Sequence, residues 1–152
     1  MFWSRRKPRL IATGEWDTSG GKTRVLVENP DHVELWAYAE LLRGHGYDVA
    51  TCAGEDYDGS TRCPLLESGR CSLVEGADVV VSSCSLVEGD AILAMLAAKG
   101  SPPVVFEAPQ PEFERYRQLA PQSKLIAMQV TQKAFLATVA EASAATAAEP
   151  AS

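Results

Sequence analysis

Four thiols and two imidazoles carry the sharpest intrinsic chemistry in this sequence. The cysteines are Cys52, Cys63, Cys71 and Cys84, spaced 11, 8 and 13 residues apart, and the histidines are His32 and His45. A structural zinc site usually contains one closely spaced ligand pair, and no CxxC occurs, so no metal is expected. Thiol chemistry is the other option. Cys63 and Cys71 bracket CPLLESGRC, which Pro64 and Gly69 can close into a compact turn, and Cys84 follows an apolar run. Arg62 and Arg70 each directly precede a cysteine and would favour a thiolate. Cys63, Cys71 and Cys84 are therefore the candidate redox thiols. The plainer reading is of small apolar residues, among the types most often buried.

Two other patterns invite chemistry and do not hold it. TSGGKTR (18–24) has the end of a phosphate-binding loop, but Trp16 stands where the first glycine is needed, and a strand follows where a helix should. The hexapeptide CSLVEG occurs twice, at 71–76 and 84–89. A thirteen-residue echo is too short for a repeated structural unit, which commonly takes about twenty residues or more. What lies between the copies, ADVVVSS, reads as one buried strand.

Charge and composition limit the rest. Residues 1–24 carry six basic and two acidic groups, whereas the remainder carries eight and eighteen. An acidic body repels phosphate backbones, so nucleic-acid binding is not expected of the domain. The basic residues Arg5, Arg6, Lys7 and Arg9 read as a solvated arm. No apolar run is long enough for a membrane span or a signal peptide, which makes the cytoplasm the expected location. High Ala and nine Arg against five Lys are a compositional association with a bacterial genome.

The elements that must position these groups alternate. Strands are expected at Arg24–Glu28, Tyr47–Cys52, Ala77–Ser82, Pro103–Glu107 and Lys124–Gln129, as short apolar runs. Asp31 can cap a helix through HVELWAYAELLRGHG, with Val33, Trp36, Ala37 and Leu41 on one face. Trp36 and Tyr38 are expected in the core or lining a groove. The span 53–70 reads as a loop or at most a short, irregular helix. Further helices are expected in GDAILAMLAAKG, in PEFERYRQLA with Pro111 early, and from Thr131 onward. Continuous apolar strands alternating with helices imply a parallel sheet covered on both faces. The expectation is α/β: a single flavodoxin-like, doubly wound domain with five parallel strands in the order 2-1-3-4-5. Its pocket would lie at the carboxyl ends of strands 1, 3 and 4. The domain spans 24–143, after a flexible basic arm at 1–23 and before an Ala-rich tail at 144–152.

Over roughly residues 24–142 the chain resembles a response-regulator receiver domain. The residues that carry the resemblance are VLVENPD, LLRGHGYDV, ADVVVSSCSL, PPVVFEA and KLIAMQVTQKAFLATV, in that order. The resemblance implies a pocket with an acid pair for Mg²⁺, an aspartate nucleophile, a hydroxyl residue and a lysine. On this sequence those positions are Glu28 and Asn29, Ser83, Glu107 and Met128, and Leu125 takes the place of the switch aromatic. Asn29 supplies one charge fewer for a hard cation, so Mg²⁺ is not expected. Ser83 lacks an activating base nearby in sequence. Glu107 would repel a phosphoryl group, and Met128 removes its cation.

The expected function is thus a stand-alone, degenerate receiver-like module with no catalytic residues, acting through an unidentified protein partner. The resemblance sets its interaction face around Phe113, Tyr116 and Arg117. The alternatives are a cysteine-based redox sensor or thiol enzyme, and a small-molecule or metal-binding module on the same fold.

Overall fold

The computed structural model describes residues 9–10, 16, 21–55, 61–84 and 88–147. Five strands form one parallel sheet: β1 Arg24–Glu28, β2 Asp48–Cys52, β3 Val79–Ser83, β4 Val104–Ala108 and β5 Lys124–Ala127. Their spatial order is β2-β1-β3-β4-β5, as expected for a doubly wound domain. The ladders run Val25 against Val49 and Val79, and Ser83 against Glu107. Arg9–Leu10, within the arm expected at 1–23, also pairs in parallel with Thr61–Arg62. Most of that arm, and 148–152 of the tail, lie outside the described residues.

Alternation along the strands sorts the core into two layers. Leu26, Val80 and Phe106 point to one face, where they pack with Leu65, Leu73, Leu93, Leu96 and Tyr116. Val25, Val27, Val79, Val81 and Val105 point to the other, against Leu35, Leu42, Phe135 and Val139. The first face is covered by the helices α2 Pro64–Ser68, α3 Ser72–Gly76, α4 Gly89–Lys99 and α5 Phe113–Leu119. The second is covered by α1 His32–Gly44 and α6 Gln132–Ala147. Each fully buried Leu, Val or Phe contributes about 1.5–3 kcal/mol, so the double layer is the main support of the sheet.

Several boundaries and one face differ from expectation. Strand β3 ends on Ser83 instead of Ser82, β5 stops at Ala127, and α6 continues to Ala147. The short helix allowed for in 53–70 is α2, and the first CSLVEG, expected to end the loop, forms α3 after Cys71. Helix α1 begins as expected, with Asp31 accepting from the backbone N–H of Val33 and Glu34 at 2.9 and 3.1 Å. Its buried face, however, is Leu35, Ala39 and Leu42. Val33 and Trp36 are 75% and 65% exposed and Ala37 is exposed, so of the stripe expected to be core only Leu41 packs against it. The helix has apolar residues on both sides, and the sheet selects the leucine stripe because it packs closest. No helix among the described residues is long and apolar enough to cross a membrane.

Candidate functional site

The carboxyl ends of β1, β3 and β4 bring four of the five expected pocket residues together. Glu28, Asn29, Ser83 and Glu107 are all buried, at 6%, 2%, 2% and 3% exposure. They occupy the strand ends because parallel strands flanked by returning helices leave their last backbone groups facing one crevice.

Each polar group in the crevice is tied to the protein itself. Ser82 Oγ donates to Glu28 Oε2 at 3.1 Å. Asn29 Oδ1 accepts from the backbone N–H of Asp31 at 2.9 Å, and its Nδ2 donates to Glu34 Oε2 at 2.9 Å. That pair of bonds shapes the turn from β1 into α1, a common use of asparagine. Tyr38, from α1, donates its hydroxyl to Glu107 Oε2 at 2.5 Å, and its ring stacks on Phe135 with centroids 4.6 Å apart. The bond therefore ties α1 to β4 across the crevice.

Burial dominates the electrostatics. It pushes the Glu28 carboxyl up to about 7, and the Ser82 hydrogen bond opposes only part of that. It also raises Glu107, which Tyr38 holds down and the nearby Glu34 pushes further up. The Tyr38 hydroxyl rises because of burial and the Glu107 carboxylate beside it. The crevice is thus rich in acceptors and favours protonated carboxyls.

Met128 behaves differently from the other four. It lies just past β5, is 41% exposed, and its backbone N–H bonds the carbonyl of Ala108 at 3.3 Å. The residue after it, Gln129, has φ 61°. Tyr38 and Ser82 are the pocket members that the sequence did not reveal as such. Tyr38 meets Glu107 across 69 residues, a separation no local pattern encodes. Ser82 differs from Ser83 only in facing the opposite side of the strand.

The expected interaction face is split. Arg117 is exposed, with its guanidinium 5.8 Å from the centroid of the half-buried Phe113 ring. Tyr116 is 2% exposed and belongs to the core, with its ring 4.9 Å from Phe106. Its hydroxyl reaches the surface only to join Asp90 and Arg115, at 3.1 and 2.7 Å. An aromatic ring with a polar tip at the protein edge is satisfied that way, and cannot be presented to a partner.

All four thiols belong to the first core layer. Cys63 and Cys71 are buried in the first core layer, and Cys52 and Cys84 are half-buried. Burial, reinforced by Glu28, pushes the Cys52 thiol up to about 12. Burial also raises Cys63, and raises Cys84 together with the acids Glu112, Glu107 and Asp90. The arginines before the cysteines pair elsewhere: Arg62 with Glu67 at 3.2 Å and Arg70 with Glu75 at 2.8 Å. Among the described residues no group of three or more His, Cys, Asp or Glu is arranged to hold a metal ion.

No family model and no curated protein sequence matches the chain. Solved structures do. A CheY-like response regulator receiver domain protein from Methanospirillum hungatei superposes with a TM-score of 0.65 at 15% identity, over 86% of this chain and 100% of that one. The signal receiver domain of an HD domain-containing protein from Pseudomonas fluorescens gives 0.65 at 16%, over 85% and 100%. A receiver domain from Clostridium thermocellum gives 0.62 at 15%, over 82% and 97%. With the strand order and these superpositions, the fold of this chain is that of a response-regulator receiver domain.

Proposed function

We propose that this chain is a receiver-like signalling module that does not carry a phosphoryl group and acts by binding a protein partner in the cytoplasm. The observation that carries the reading is the closed crevice. Glu107 is held by Tyr38 where the resemblance expects a hydroxyl, and Ser83, at the nucleophile position, is 2% exposed. Glu107, opposite Ser83 in the β3–β4 ladder, offers an incoming phosphoryl group no cation, and Met128 supplies none where the resemblance expects a lysine. A Mg²⁺ ion also fits poorly, because Asn29 Oδ1 is used by the backbone and the Glu28 carboxyl is bonded to Ser82. Phe113 and Arg117 on α5 remain the candidate contact residues, whereas Tyr116 supports them from beneath.

The test is incubation with acetyl phosphate and Mg²⁺, read by intact mass. The expected result is no added phosphoryl group on the protein or on Ser83→Asp, because Glu107 and Tyr38 still fill the crevice. Stable incorporation into the unmodified protein overturns the proposal. Thiol labelling addresses the redox alternative: Cys63 and Cys71 are expected to react only after denaturation, and Cys84 slowly in the native state. Rapid native labelling of Cys63 or Cys71 would favour the thiol reading instead.

A further inference from the structure

We propose that the cavity at the amino ends of β4 and β5 is a binding site for a small neutral aromatic molecule with one polar group, about the size of indole. It lies at the opposite edge of the sheet from the crevice and does not depend on the reading given to that crevice. Its volume is about 210 Å³. A dry apolar cavity of about 150 Å³ already accepts a benzene-sized molecule, so the space suffices for one or two fused rings. Leu93 and Leu96 from α4, Val104 at the start of β4 and Ala120 after α5 form the floor, and all are buried. The space exists because the positions that could fill it hold small residues: Ala97 on α4, Gly100 past its end and Ala145 on α6. These residues are exposed and mark the side on which the cavity meets solvent.

The chemistry of the lining narrows the ligand. None of the described residues that line the cavity has an ionisable side chain, so an ion would be buried there without a partner. The backbone carbonyls around it are already paired. That of Ala97 accepts from the Gly100 N–H at 3.1 Å, and that of Pro103 from the Val80 N–H at 3.0 Å. The Ala120 carbonyl accepts from the backbone N–H and the hydroxyl of Ser123, at 3.0 and 2.7 Å. Pro102 and Pro103 have no N–H to offer. What remains for a ligand is at the mouth, where Ser101 and Gln122 are exposed and their side chains bond no other described residue. An apolar floor with a hydroxyl and an amide at its rim fits a ring that buries its hydrocarbon and turns one N–H or O–H outward. A rigid ring, with no rotatable bonds to freeze, gains most from so small a site.

The test is titration of the intact chain with 5-fluoroindole, read by fluorine NMR, with backbone amide shifts to locate the probe. Saturable binding with a Kd of about 1 mM or tighter is expected, with the shifts concentrated at 96–104 and 120–124. The same ring carrying a charge, 5-fluoroindole-2-carboxylate, should bind about tenfold more weakly or worse. Ala97→Phe and Ala145→Phe, which fill the cavity from exposed helix positions, should weaken 5-fluoroindole by a similar factor. The proposal fails if 5-fluoroindole does not saturate, or if its shifts fall elsewhere. It also fails if the carboxylate, or either Phe variant, binds as tightly as the parent pair. Should neither variant fold, the amide shifts and the carboxylate comparison decide.

Discussion

The same six residues, CSLVEG, meet two fates in this molecule. At 71–76 they form α3, with Cys71 buried, Glu75 paired to Arg70, and the Trp16 indole where a Cβ on Gly76 would stand. At 84–89 the segment leaves β3 beside the polar crevice: Glu88 takes a left-handed backbone at φ 59° and Gly89 opens α4. A Cβ on Gly89 would lie 3.2 Å from the carbonyl oxygen of Cys84 and 3.3 Å from that of Ser83. Identical local preferences are overruled in opposite ways by what each copy must connect. The first fills an apolar face; of the second, the described residues Cys84 and Glu88 lie between β3 and α4, and Gly89 begins α4.

Four experiments sharpen or break that contrast. The largest effect belongs to the crevice that the second copy borders. Below the ordinary carboxylate value of 4.5, Glu28 is protonated both folded and unfolded, and its contribution to stability is complete. As pH rises from 4.5 to about 7 only the unfolded chain ionises, so stability falls, by about 3 kcal/mol at most, and then levels off. Glu28→Gln should abolish that fall in urea titrations across the same pH range. An unchanged slope would mean that the crevice is wetter than its geometry indicates.

Gly89→Ala comes next, at about 1–3 kcal/mol lost, because backbone carbonyls cannot move aside as a side chain can. Tyr38→Phe should cost about 1–2 kcal/mol by leaving the buried Glu107 carboxyl without its donor, measured as a shift in the urea midpoint. The smallest effects are the most direct comparison. Glu88→Gly should stabilise by about 0.5–1 kcal/mol by relieving the left-handed strain, whereas Glu75→Gly, in a helix, should destabilise by a similar amount. Equal signs at the two positions would remove the contrast.

The sequence displayed the framework because apolar strand runs and a helix cap are local signals. RVLVE, VVVSS and VVFEA became β1, β3 and β4 within two residues of their expected ends, and Asp31 caps α1 as expected. The crevice members Glu28, Asn29, Ser83 and Glu107 were legible through the resemblance to receiver domains, which sets those positions at the strand ends. The helix faces were not. Trp36 and Leu35 are adjacent apolar residues, and only the sheet beneath decides which of them is buried. The resemblance placed Tyr116 on the interaction face, but its ring is long enough to lie in the core while its hydroxyl meets Asp90 and Arg115 at the surface. Tyr38 reaches Glu107, and Trp16 reaches Gly76, only through the folded chain.

The two five-residue helices α2 and α3 set an order of events. A single helical turn is too short to persist alone, because nucleation costs more than one or two hydrogen bonds return. Neither has a side-chain cap at its start, so each depends on Leu65, Leu73 and Val74 resting on a finished sheet. Among the described residues, limited proteolysis is expected to cut within 63–76 before it reaches β1, β3 or β4.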